Sequence, residues 1–207
     1  MNPANERPTG RPRTIDPDGV SLVALRLFDE RGFEAVSMDD VAAAAGVSRR
    51  SLFRLFPSKA ALVWGGLEES ADRFRASLAG SAQDDDLWDA VRTAYAAAVD
   101  IPEELLEVTR RRLHVIRANP ALAAVGASTI GAMTDAVVRF ASERDDSPSD
   151  ALQTAVRAHA LAGASNAALF WWAFHGGDES PTDVVRRAFA VVSFDESGRG
   201  DSGGSAA

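Results

Sequence analysis

Four times beyond the first fourteen residues a short capping side chain stands immediately before a proline: Asp16-Pro17, Asn119-Pro120, Ser147-Pro148 and Ser180-Pro181. Each pair reads as the N-cap and first residue of a helix, where proline loses nothing by lacking an N–H. The last two also carry an acid three residues after the cap, Asp150 and Asp183, in the manner of a shortened capping box. β-Branched residues occur singly or in pairs and no stretch alternates apolar with polar for long, so strand signals are poor. Gly32, Gly46, Gly176-Gly177 and the run Asp84-Asp85-Asp86 fall where helices would end. The expected fold is all-α, with helices at about 17–31, 38–45, 49–56, 59–80, 87–99, 103–118, 121–143, 148–175 and 181–193.

Composition narrows the function classes. At 207 residues, with 46% apolar and 25% charged side chains, the chain can bury a real core and is not of disordered composition. It has no cysteine, which removes disulfide scaffolds, thiolate metal sites and cysteine nucleophiles. His114, His159 and His175 lie far apart without metal-ligand spacing; no metal or cofactor is expected. Neither a Gly-rich phosphate loop nor a nucleophile–base arrangement stands out, so an enzyme is not expected. Met1 to Arg13 contains no apolar run of the secretory kind. The longest uncharged apolar stretch, Ala160 to Phe174, is shorter than the roughly 20 residues a bilayer span needs. A cytoplasmic protein without membrane contact is the expectation.

Net charge is −8 but unevenly spread. Residues 1–63 hold nine basic and eight acidic groups, while the rest of the chain holds 13 basic and 22 acidic ones. That asymmetry directs attention to the first third of the chain.

There residues 37–59 read SMDDVAAAAGVSRRSLFRLFPSK. Ser37 can cap a short helix with Asp40 as its capping-box partner, and the alanines after Val41 give that helix a small, tight face. Gly46 stands where the helix must stop in a left-handed conformation, Val47 can pack into the angle, and Ser48 caps the next helix. Two short helices joined by a glycine turn form a helix-turn-helix. Arg49, Arg50 and Ser51 occupy the first turn of the second helix, the end that enters the major groove. Arginine there can bond guanine O6 and N7 together, and serine can serve several bases. Arg54, one turn on, suits a phosphate, as does the ammonium of Lys59. The competing reading of these arginines is an ordinary solvated helix face.

From Ala24 to Leu62 the chain resembles the TetR family of bacterial transcriptional regulators. The matching positions are Leu27-Phe28, Gly32-Phe33, Ser37, Ala44, Gly46-Val47-Ser48 and Phe56-Pro57-Ser58-Lys59. The resemblance implies an all-α homodimer with an N-terminal DNA-binding domain and a C-terminal domain that dimerises and binds a small effector. On that frame residues 1–14 are expected to be a disordered arm and 15–62 the helix-turn-helix domain. Residues 63–194 would be the helical ligand-binding and dimerisation domain, and 195–207 a disordered tail. Phe53 and Leu55 depart from the family, which often has tyrosine or histidine there; neither side chain can donate to phosphate. Anchoring would then lean on Ser37, Arg54, Lys59 and helix N-termini. Arg11 and Arg13 in the arm can enter a narrow minor groove, or merely solubilise the tail.

Further on, Val63-Trp64-Gly65-Gly66-Leu67 and RRRLHVIRANPAL from Arg110 to Leu122 are similar to regulators with an acyl-CoA-like ligand-binding domain, including those near mycofactocin clusters. That implies an acyl-CoA-like or related hydrophobic effector. Trp64, Phe74, Trp88, Phe170, Trp171 and Phe174 could line an apolar cavity, although aromatics at helical spacing are more often core. Arg110, Arg112, His114 and Arg117 could hold an anionic head, but Glu103, Glu104 and Glu107 precede them at ion-pairing spacing. Ala158, Ala162, Gly163, Ala164 and Ala167, with Val184, Val185, Ala188, Val191 and Val192, suit either a helical dimer seam or packing inside one subunit. The sequence thus points to a ligand-responsive repressor that binds a palindromic operator in double-stranded DNA as a homodimer. The alternative is a helical acyl-binding protein without regulatory DNA binding.

Overall fold

The computed structural model describes residues 15–144 and 151–192, and within them every regular element is an α-helix. The helices are α1 (Pro17–Arg31), α2 (Met38–Ala45), α3 (Arg49–Leu55), α4 (Lys59–Val63), α5 (Leu67–Ala79), α6 (Leu87–Ala98), α7 (Glu103–Ala118), α8 (Pro120–Arg144), α9 (Ala151–His175) and α10 (Pro181–Val191). The chain divides into two compact units between Gly65 and Gly66. Arg11 and Arg13 of the arm, the Ser147-Pro148 cap and the tail from residue 193 lie outside the described residues.

In the first unit α1 packs on α2 and α4, and α2 on α3. Leu25, Phe28, Val36, Val41, Leu52 and Leu62 form its buried centre. Asp16 caps α1 ahead of Pro17, accepting from the Asp18 amide at 3.1 Å. Gly46 has φ +65°, and its N–H and that of Val47 return to the carbonyls of Ala43 and Ala42. This pair of bonds closes α2 in a Schellman motif, a conformation that glycine adopts without a Cβ penalty. Ser48 then caps α3 by accepting from the Ser51 amide at 3.1 Å.

The second unit is a bundle of α5 to α10, with α5 against α6 and α8, and α9 against α7, α8 and α10. Phe74, Val91, Leu113, Val137, Leu161, Trp172 and Val185 lie at its centre. Asp86 caps α6 and Ser180 caps α10. An arginine closes the opposite end of α6, as a cation should at a helix C-terminus, and another fastens the loop between α5 and α6. Arg73 donates to the carbonyls of Ala97 and Ala98, and Arg144 to those of Ser81, Ala82 and Asp85. By length and composition α8 could cross a bilayer. Its apolarity comes largely from alanine, and it contributes Leu122, Met133, Val137 and Ala141 to the buried interior.

Two expectations are corrected. The single helix expected over 59–80 is two, broken at Trp64-Gly65-Gly66, where Gly66 has φ +84°. Asn119 does not cap α8 in the expected way: its Nδ2 donates back to the Val115 carbonyl at 2.7 Å, closing α7.

Candidate functional site

The capping box at the start of α2 is complete. Ser37 Oγ accepts from the Asp40 amide at 3.2 Å, and Asp40 Oδ2 accepts from the Ser37 amide at 2.8 Å and its hydroxyl at 2.5 Å. These bonds, with the charge of Arg31, hold the Asp40 carboxyl below its ordinary range. Ser37 is therefore a structural cap, exposed at the helix end where an anion could also approach.

Across the glycine turn, α3 presents its basic first turn. Arg49, Arg50 and Arg54 are all exposed. Arg49 Nη1 meets Asp39 Oδ2 at 3.1 Å, and its guanidinium lies 5.5 Å from the centroid of the exposed Phe53 ring. Arg50 and Arg54 have no partner among the described residues. Ser48 and Ser51 bond each other at 2.9 Å through their hydroxyls, beside the free end of α3.

Lys59 makes contacts that its sequence position did not announce. Its Nζ donates to the carbonyls of Phe33, Val36 and Glu34 at 2.6, 3.1 and 3.4 Å, and stands 4.3 Å from the Phe33 ring centroid. The ammonium thus closes the loop between α1 and α2.

The expected effector residues separate into three groups. Arg110, His114 and Arg117 share one face of α7, and that face holds the C-terminal end of α9. Arg110 donates to the carbonyls of Trp172 (2.8 Å) and Gly177, with its guanidinium 4.1 Å from the Trp172 ring. His114 Nε2 lies 3.1 Å from the Ala173 carbonyl, and its ring stacks on Phe174 at 4.2 Å; Arg117 lies 5.4 Å from the same ring. Arg111 pairs with Glu107 at 3.0 Å, as the ion-pair reading expected.

Trp171 and Phe174, expected in a cavity, are exposed on α9, where Arg187 covers Trp171 at 5.3 Å and His175 stacks on it at 5.5 Å. The buried member of the pair is Trp172, whose Nε1 donates to the Glu179 carbonyl at 2.7 Å. Trp64 is half-buried at the end of α4, in the first unit. Trp88 and Phe170 pack partly buried against the second unit's core, Trp88 beneath Arg157. Phe74 is core outright.

Arg112 alone among the expected cations points inward, at 8% exposure. Its Nη1 stands 3.2 Å from where a Cβ on Gly66 would be. Tyr95, which the sequence reading passed over, is buried between Phe74 and Phe189 with its hydroxyl near Thr134. Burial pushes its phenol up to about 12, against a smaller opposing effect of the Thr134 hydroxyl. Thr134 and Ser165 are the other buried hydroxyls of the unit.

The seam residues also separate. Ala158, Val184 and Val185 are core, and Ala162, Ala164, Ala188 and Val192 are half-buried. Gly163, Ala167 and Val191 are exposed, as are Leu152 and Val156. Leu152, Val156, Gly163 and Ala167 recur at helical spacing along α9 as an exposed stripe, which Trp171 and Phe174 continue against Arg187 and His114.

Comparison with known proteins agrees with this division. Residues 22–63 match the model of bacterial regulatory proteins of the tetR family, and residues 85–194 match the MftR C-terminal domain. A Mycobacterium tuberculosis protein assigned as the mycofactocin biosynthesis transcriptional regulator MftR is 30% identical over 188 residues, 91% of this chain and 94% of that one. The Escherichia coli repressor ComR is 36% identical over 67 residues, 32% of each chain. Among solved structures, the fatty acid degradation regulator FadR from Bacillus halodurans covers 88% of this chain and 96% of its own at TM-score 0.58 and 13% identity. A TetR-like regulator from Rhodococcus sp. RHA1 covers 88% and 98% at TM-score 0.53 and 21% identity. At those identities the two structures share the fold alone. With a matching model at each end and a relative spanning nearly the whole length, the chain belongs to the TetR family of bacterial transcriptional regulators and carries a C-terminal domain of the MftR type.

Proposed function

We propose that the chain is a repressor that binds a palindromic operator as a homodimer and leaves it on binding an acyl-type effector. Family membership itself makes it a helix-turn-helix DNA-binding, ligand-responsive regulator and not an enzyme. The observation that carries the DNA reading is the first turn of α3, where capped and exposed arginines stand just past a left-handed glycine turn. In this reading the first unit enters the major groove with Arg49, Arg50 and Ser51, and Arg54 meets backbone phosphate. Ser37, Ser48 and Phe53 border that contact. In this reading residues 63–194 form the domain that binds the effector and pairs through the exposed stripe of α9 with α10.

For the effector, the MftR-type domain and the inward Arg112 support an apolar chain with an anionic or polar head. The aromatic candidates reduce to Trp88 and Phe170, since Trp171 and Phe174 face outward. A cytoplasmic site of action follows from operator binding. The test is selection of duplexes from a random pool by the full chain, then calorimetry and release with dodecanoyl-CoA and dodecanoic acid. Arg50→Ala should weaken the selected duplex by roughly 1–3 kcal/mol. Arg112→Ala should weaken the acyl ligand more than the operator. If no acyl compound binds or releases DNA, the acyl effector is wrong and the regulator reading stands.

A further inference from the structure

Asp39 is a carboxylate on the surface that meets a polyanion. It takes no part in the capping box beside it, which is made by Ser37 and Asp40. Its Oδ2 instead reaches across the glycine turn to Arg49 Nη1 at 3.1 Å, with side chains 60% and 68% exposed. An ion pair that open to water adds little to stability. An acid there also repels phosphate, so in isolation it should weaken DNA binding.

The second contact of Arg49 gives the pair a use. The same guanidinium lies 5.5 Å from the Phe53 ring centroid, so it is restrained by a carboxylate on one nitrogen and by a ring one turn along α3. Reading guanine requires two N–H groups presented together in a fixed plane, and a free arginine side chain must give up rotamer freedom to do that. Arg50 and Arg54, one position on and one turn on, have no such restraint among the described residues.

We infer that Asp39 is a positioning residue that orients Arg49 for base reading, leaving Arg50 and Arg54 as adaptable contacts. It also keeps Arg49 from settling on phosphate as a generic cation. Phenylalanine at 53, which cannot donate to a phosphate, serves here as the surface under the guanidinium. This rests on α3 being the recognition helix.

The full-length protein is measured on the duplex it selects from a random pool and on unrelated duplex, across a salt series. Asp39→Ala should lower the ratio of specific to unrelated affinity about tenfold, within the range of one bidentate base contact. It should raise affinity for unrelated duplex and steepen the salt dependence by about one phosphate's worth, a slope change near 0.9. Asp39→Glu, keeping the carboxylate, should restore part of the ratio. In an Arg49→Ala background, Asp39→Ala should change the ratio no further, because the residue acts through Arg49. An unchanged ratio in Asp39→Ala overturns the inference, as does the same loss with Arg49 already removed. A wild-type protein that prefers no duplex overturns the recognition-helix reading and this inference with it.

Discussion

The three N–H groups of the Lys59 ammonium meet the carbonyls of Phe33, Glu34 and Val36. Lys59→Ala should therefore act on the fold, costing roughly 1.5–3 kcal/mol through lost charge-assisted bonds. Urea unfolding checks the loss, and the salt slope of DNA binding by the folded fraction should not change. Tyr95 is the only tyrosine in the chain, so phenolate absorbance reports on it alone. In the native protein that absorbance should rise near pH 12, against about 10 in denaturant. Because the folded value is the higher one, stability is unaffected below pH 10 and falls as pH rises toward 12. A native phenolate midpoint near 10 would show the phenol to be open to water. Such residue-level roles were unevenly legible in sequence. The basic turn at Arg49 and Arg50 could be read from caps and spacing, but the Asp39–Arg49 pair depends on the angle between α2 and α3. Lys59 is chemically suited to phosphate, and its carbonyl contacts depend on the path of the loop between α1 and α2.

Among elements, α2 was legible to the residue because its start and stop are both local: a Ser–Asp box and one left-handed glycine. Asp40 titrates below its ordinary range, so its contribution to α2 is present above the unfolded carboxyl range and is lost as pH falls through the lowered folded value. Asp40→Asn should lower the urea midpoint at neutral pH and flatten the acid limb, measured from pH 7 down to about 3. The helix at 59–80 was misread because a Gly-Gly pair within apolar residues is compatible with a continuous helix. Gly66 decides otherwise with φ +84° and with Arg112 packed where a side chain would go. The long α9 was found, but its rotation was not. It is apolar nearly all round, so spacing could not say which tryptophan of the Trp171-Trp172 pair faces inward.

For the molecule as a whole, the proposed DNA contact and the proposed self-association fall in different compact units, so the seam can be altered without touching α3. A Cβ on Gly163 would meet nothing within 4 Å, and glycine is a poor helix former. Gly163→Glu should thus leave the protomer folded by circular dichroism while desolvating a charge in the proposed seam. Sedimentation should show a monomer and operator affinity should collapse. A wild-type chain that is monomeric at micromolar concentration contradicts the seam. The fold class was legible because helix signals are local; the partition of α9 into buried and exposed faces required the packed bundle. The carbonyl contacts of Lys59 have one more consequence. Acyl thioesters transfer their acyl groups spontaneously to amines and thiols, and a protein that meets them repeatedly risks modification by its own signal. This chain has no cysteine and a single lysine, whose Nζ donates to three backbone carbonyls. A thioester therefore finds no thiol and a single side-chain amine here, so that, with an acyl thioester as the proposed effector, the composition itself would limit covalent capture of the signal.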